Sequence, residues 1–273
     1  MLATACLLPA AAQAADLDDW TGANRWIGLS AGRQVMDYRE RDTQGLTHDG
    51  TLDTETGRLA TQRVAARWQF DSGWVVDLSG QRASGSSRYD GYLQSGGALT
   101  AYQATSQHRQ QAWRATAGYA LGAAQAAWMP RGWQLLALAQ VGTDRWKRQL
   151  TQYEETYRHE HWALGGQLQW GPRLGSLLEA QALWGRTRPA TVRVPAFGFE
   201  AEQPGCGSRA WQFGITQDLG TLGGPGPLSS WRLTLRGGQA SACHQASPVV
   251  AGLQAPPNHN LPSHWLLGLQ KHF

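Results

Sequence analysis

No stretch of this 273-residue sequence approaches the roughly 20 consecutive apolar residues that a membrane-spanning helix needs, so a helical membrane protein is excluded. Charge is sparse at 16%, and the net charge of +4 is spread over interleaved acids and bases. With no basic stripe, nucleic acid is not an expected partner. Phosphate-cradling and dinucleotide-binding motifs are missing, and so is the Gly-x-Ser-x-Gly elbow of a serine hydrolase. Ser84-Gly85-Ser86-Ser87 reads instead as a flexible loop. Cysteine is scarce, with three in the chain.

Tryptophan is not scarce. Fourteen Trp residues are many for this length, and Trp concentrates where a membrane meets water. Residues 1–14 contain an apolar run and end in Ala12-Gln13-Ala14, a small-x-small pattern that reads as a secretory signal peptide cut before Ala15. No Lys or Arg precedes that run, which leaves open a start upstream of Met1. Cys6 lies too near the start to be a lipid anchor. In an exported protein the remaining Cys206 and Cys243 are expected to form a disulfide.

After a short acidic lead-in over residues 15–25, the sequence alternates with period 2. Alternation marks ten strands, over residues 26–38, 59–70, 74–82, 110–121, 133–143, 159–170, 176–187, 209–219, 231–238 and 264–273. The fifth is the least regular, because leucine falls on both of its faces. Residues 39–58, 83–107, 144–158, 188–208 and 239–263 read as long loops, and 71–73, 123–132, 171–173 and 220–230 as short turns. The alanines of 123–132 would also support one helical turn. Long and short connections alternate, so an up-and-down topology would gather all long loops at one end.

The last ten residues organise the rest. Trp265, Leu267, Leu269, Lys271 and Phe273 share one face, with Leu266, Gly268, Gln270 and His272 on the other. A strand that ends the chain on an aromatic residue has no tail to cover its edge, and pairing it with the first strand closes a barrel. Such an ending resembles the closing strand of Gram-negative outer-membrane β-barrels, where it is the signal read by the insertion machinery. The resemblance implies an all-β, closed up-and-down antiparallel transmembrane barrel over residues 26–273, of ten strands with eight or twelve left open. It also implies lipid bilayer, lipopolysaccharide and the insertion machinery as partners, with long loops extracellular and both termini periplasmic. Oligomeric state is not legible.

Within that frame Trp68, Trp74, Trp113, Trp162, Trp170, Trp184, Trp211, Trp231, Trp265 and Phe273 form aromatic girdles. Trp162 and Trp170, like Trp265 and Phe273, are eight positions apart, which on a strand tilted about 40° is roughly 20 Å of height. The polar faces bring Arg63, Arg67, Asp77, Arg114, Glu179, Asp218, Arg232 and Arg236 to the lumen. In a narrow barrel these charges pair; were they free, the excess arginine would line a small anion-preferring pore.

No enzyme and no cofactor is expected. The function expected is surface-loop interaction, weak solute passage, or both. Two alternatives remain. Omptin-type outer-membrane proteases are similar in strand number and carry acid and histidine pairs at the loop end, to which Asp53 with Glu55 and His159 with His161 are weakly alike. Those residues read foremost as solvated charges near the rim. The second alternative is the translocator barrel of an autotransporter. His159-Glu160-His161 offers two imidazoles but no evident third ligand, so no metal is expected.

Overall fold

The computed structural model describes residues 20–95, 98–122, 129–171, 175–223, 228–250 and 253–273. The expected signal peptide, the first part of the lead-in and the centres of three short turns (123–128, 172–174, 224–227) lie outside the described residues.

Thirteen strands make one sheet. They are β1 (Trp26–Arg41), β2 (Thr51–Gln69), β3 (Trp74–Ser95), β4 (Ala98–Gly122), β5 (Trp133–Leu150), β6 (Tyr153–Trp170), β7 (Ser176–Thr187), β8 (Ala190–Val194), β9 (Phe199–Gln203), β10 (Gly207–Asp218), β11 (Trp231–His244), β12 (Asn258–Asn260) and β13 (Ser263–His272). Ten of them are the staves of a closed antiparallel barrel, in ring order β1 to β7, β10, β11 and β13. Closure comes from β13, which pairs β1 from Trp26↔His272 to Val35↔Ser263 on one side and β11 on the other. β12 continues that stave past Leu261 and Pro262 and bridges β1 and β11.

All ten expected strands are staves. Outward positions are apolar and exposed over the lower part, with Leu29 (69% exposed), Leu78 (55%), Leu164 (56%), Phe213 (59%) and Leu267 (56%) as examples. Inward positions are mostly polar or small, with large apolar exceptions such as Met36, Leu59 and Leu266. The fifth stave, β5, explains its doubled leucines: Leu136 and Leu138 face inward, packed with Val75, Ala120, Ala163 and Leu183.

The expected long loops are wrong in most of their length. Residues 83–107 are nearly all strand, paired from Ala83↔Gln110 to Ser95↔Ala98. Residues 144–158 pair across β5 and β6 up to Leu150↔Tyr153, and 39–58 leave only 42–50 outside a strand. Hydrophobic alternation fades there because, beyond the apolar belt, the outward face meets water and carries Ser84, Ser86, Arg88 and Asp90. Period 2 persists in polar residues: Ala83, Ser87 and Tyr89 stay buried inside. Ser84-Gly85-Ser86-Ser87 is thus a strand segment of β3, not a flexible loop. Of the other two loops, 188–208 holds the β8–β9 hairpin, with β8 extending stave seven against β6. The stretch 239–263 holds the end of β11 and β12.

The described residues begin and end at one end of the barrel, here the near end, where Trp26 pairs with His272. The described part of the lead-in is folded against it: Trp20–Ala23 forms a helical turn, α1, with Trp20 buried and Asn24 fully buried in the barrel mouth.

A disulfide joins Cys206 to Cys243. It staples the far ends of the neighbouring staves β10 and β11, although both cysteines lie in stretches that the sequence read as long loops, 188–208 and 239–263. Closing a loop of 37 residues, it should contribute about 2–4 kcal/mol. Cys206→Ser with Cys243→Ser should therefore lower the temperature at which the folded barrel loses its fast gel mobility in detergent.

Candidate functional site

The interior carries three stacked polar groups. The lowest begins at Asn24, whose side-chain amide donates to Gln69 (2.8 Å), Gln134 (3.1 Å) and Gln169 (2.9 Å). Immediately inside, Arg67 lies 3.2 Å from Asp77 and 3.1 Å from Glu179, and Arg236 reaches Glu179 at 3.5 Å. Gln167 and Gln169 also donate to Glu179. Arg232 sits 3.8 Å from Asp218 and donates to the Ala23 carbonyl. Arg63 has no carboxylate partner among the described residues and approaches Gln212 at 3.5 Å.

Above this layer is a cavity of about 260 Å³, lined by glutamines and by Arg63, Arg114, Asp144, His159, His244 and His264. On its wall β5 and β6 set Asp144 opposite His159 and Gly142 opposite His161. The carboxylate oxygen Oδ2 of Asp144 is 3.3 Å from His159 Nε2 and 3.3 Å from His161 Nδ1. Arg114 holds the other oxygen at 2.8 Å. A side chain at Gly142 would strike the His161 ring and the Arg114 chain, so glycine there makes room for both. His244 lies against His159, ring centres 5.0 Å apart. Burial, aided by His159, pushes the His244 imidazole down to about 4.

The far end is built around Arg148. Its guanidinium meets Glu55, Asp53 (2.8 Å), Glu155 (3.0 Å) and Glu40 (3.4 Å), and stacks over the rings of Tyr38 and Tyr89. Tyr38 donates to Glu40 and Tyr157 to Glu155. Burial, with the neighbouring carboxylates, raises Glu40 and Asp53, while Arg148 opposes the shift. Burial also acts on Glu55, but Arg148, His108 and Ser87 overcome it and hold Glu55 at about 2.

Ser87, His108 and Glu55 look like a nucleophile, base and acid. Their geometry is different. Ser87 (2.6 Å) and Glu55 (2.9 Å) both meet Nε2 of His108, and Nδ1 accepts from the Trp146 indole at 3.0 Å. A relay needs the acid and the hydroxyl on opposite ring nitrogens. All three side chains are buried, so the group holds strands together.

The outward aromatics fall in two bands. Trp113, Trp162, Trp184, Trp211 and Trp265 are exposed toward the far side of the apolar belt, and Trp68, Trp74, Trp170 and Phe273 toward the near side. Trp231 shares the near level but is only half-exposed.

Solved structures similar to the chain include the outer membrane protease OmpT of Escherichia coli, at 9% identity and TM-score 0.60, covering 91% of this chain and 97% of that one. The fold is that of the outer-membrane β-barrels. The translocator domain of the autotransporter NalP from Neisseria meningitidis is also similar, at 10% identity and TM-score 0.40, covering 94% of this chain and 92% of that one. No family model matches the chain, and no curated protein does.

The acid and histidine pairs read from the sequence are not rim charges of this barrel. Asp53 and Glu55 are buried around Arg148, and His159 with His161 surround Asp144. Among the described residues no ion pair or hydrogen bond joins the two groups. Sequence reasoning missed Arg148, Glu40 and Asp144, inside stretches read as loops, and His108, between the second loop and the fourth strand. The available signal was an inward pair two residues apart on each of six staves: Tyr38 and Glu40, Asp53 and Glu55, Ser87 and Tyr89, Ser106 and His108, Trp146 and Arg148, Glu155 and Tyr157.

Proposed function

We propose that the chain is a non-enzymatic, non-conducting outer-membrane barrel whose far end stands at the cell surface, seated among lipopolysaccharide headgroups by a collar of arginines. The observation that carries this reading is on the outward face. Next to or beyond the far aromatic band, eight staves each expose an arginine: Arg33, Arg58, Arg82, Arg109, Arg145, Arg158, Arg186 and Arg209. None has a carboxylate partner among the described residues. Arg145 stands directly opposite Arg158, and Arg109 opposite Lys147, which itself pairs with Glu154 at 2.7 Å. Like charges facing each other across a sheet are destabilising unless something anionic lies over them. The phosphates of lipopolysaccharide, spread around the barrel at that height, have the matching chemistry, and they occupy only the outer leaflet. The aromatic bands then sit at the two membrane interfaces, and the termini at the periplasmic face.

The non-conducting part of the reading is supported by the interior, where Asn24 with three glutamines, the Arg67–Glu179 layer and the Arg148 group lie one above another. The non-enzymatic part is supported by the serine–histidine–acid group among the described residues, which is buried and not arranged for attack.

The temperature of the folded-to-unfolded gel shift tests the collar. Lipopolysaccharide added to the detergent should raise it for the wild type, and Arg145→Glu with Arg158→Glu should cancel most of the gain. An equal gain in both proteins would overturn the assignment.

A further inference from the structure

We propose that Asp144, His159 and His161 bind a divalent transition-metal ion of the zinc class at the upper wall of the interior cavity, with His244, whose ring centre lies 5.0 Å from that of His159, closing in as a fourth ligand. This inference is independent of the surface collar. Two imidazoles and a carboxylate present one donor atom each within 4.8 Å of one another. The two distances that join Asp144 Oδ2 to the histidine nitrogens are both 3.3 Å. Two ligands about 2.0–2.1 Å from a tetrahedral ion are themselves about 3.3 Å apart. The carboxylate oxygen is therefore already spaced from each histidine as such an ion would hold it, with the second histidine nitrogen within 4.8 Å of the first.

A second observation points to the same place. His244 is 8% exposed and its Nε2 has no partner, while its Nδ1 faces Asn258 Oδ1 at 3.4 Å. If Nδ1 carries the proton toward Asn258, Nε2 presents a lone pair, the tautomer that a metal-ligating histidine uses with a second group orienting its ring. His244 lines the cavity together with Asp144 and His159. It is also held in place, since the neighbouring Cys243 is in the disulfide and His244 itself bridges Gly205.

The class of ion follows from charge and donor type. Arg114 sits on the outer oxygen of Asp144 and offsets its charge, leaving one carboxylate oxygen and neutral imidazoles to do the binding. Hard cations such as Ca²⁺ and Mg²⁺ need several anionic or carbonyl oxygens, and the site offers one. Imidazole-rich sites favour Zn²⁺, Ni²⁺ and Cu²⁺. The cavity of about 260 Å³ has room beside the ion for a water.

The test uses untagged, refolded protein in detergent, titrated with Zn²⁺ by calorimetry and with Co²⁺ by its visible absorption. One equivalent of Zn²⁺ should bind, Co²⁺ should give the intense bands of a four-coordinate ion, and a large excess of Mg²⁺ should not compete. His159→Ala and His161→Ala should each weaken binding at least 100-fold, whereas His48→Ala, on an exposed turn, should leave it unchanged. Each variant is scored only on its fraction with folded gel mobility. Should either alanine variant not fold, Gly142→Ala, which pushes the His161 ring without removing a donor, replaces it and should weaken binding at least 10-fold. Zn²⁺ binding of equal strength in wild type and the histidine variants, or none in the folded wild type, would overturn the site.

Discussion

Arg148→Met should lower the stability of the far-end extension by about 3–5 kcal/mol. The guanidinium, itself buried, is the common partner of Glu40, Asp53, Glu55 and Glu155, which come from three different staves. Removing it leaves carboxylates from β1, β2 and β6 facing one another in a space closed by Tyr38, Trp146, Tyr157 and the β8–β9 hairpin. Limited proteolysis should cut the β3–β4 and β5–β6 hairpins of the variant while the membrane part keeps its folded gel mobility. Adding Glu55→Gln should recover part of the loss, because the unpaired charge and not the missing packing dominates. Wild-type protease resistance in Arg148→Met would show that the group is dispensable.

The same cluster sets a pH profile for the extension. Glu55, held at about 2 against a usual 4.5, contributes stability that is fully present above about pH 4.5 and is lost as the pH falls toward 2. That contribution is on the order of 3 kcal/mol. Glu40 and Asp53 act in the opposite direction. Their raised values mean that the folded extension binds these protons more tightly than the unfolded chain does, which relieves repulsion among the carboxylates. His108, Tyr38, Tyr89 and Tyr157 complete the ring of titratable groups facing them. Protease resistance of the wild type should thus fall as the pH drops from about 4.5 toward 2 through Glu55, with protonation of Glu40 and Asp53 opposing the loss.

The barrel was legible from the sequence because lipid enforces a strict rule on one face of each stave. From Trp162 to Trp170 every second residue is apolar or glycine, Trp265 to Phe273 departs from this only at Lys271, and the ten stretches with such a face are the ten staves. Beyond the apolar belt that rule ends. Ser84, Ser86 and Arg88 on the outward face of β3 look like a loop, although their inward neighbours Ser87 and Tyr89 continue the same alternation. The disulfide was legible from export and an even cysteine count, but its place was not, since Cys243 lies in a strand that runs past the belt. Asp144 could not be joined to His159 and His161 by spacing in the chain. The register between β5 and β6 makes them neighbours, and that register was hidden by reading 144–158 as a loop. Arg148 shows the same limit more sharply: its acidic partners lie 93 to 108 residues away on β1 and β2, and seven away on β6.

Glu179→Ala should lower the stability of the membrane part itself by about 3–5 kcal/mol. One carboxylate accepts from Arg67 (3.1 Å), Gln167 (2.7 Å) and Gln169 (2.8 Å) and pairs with Arg236 (3.5 Å). Its loss strands two buried guanidinium groups, of which Arg67 keeps Asp77 and Arg236 keeps only its contact with the Trp26 ring among the described residues. Unpaired buried charge costs more than the pair ever contributes, so the effect should exceed that of losing a lumen glutamine such as Gln134. The folded-to-unfolded gel shift should fall in temperature well below the wild type. Planar-bilayer recordings separate stability from passage: the wild type should be silent, and the variant should show brief, anion-preferring openings where the freed arginines face the gap. Discrete steps in the wild type would mean that the three polar groups do not close the lumen, and the inward arginines would then line a path instead of bracing a wall.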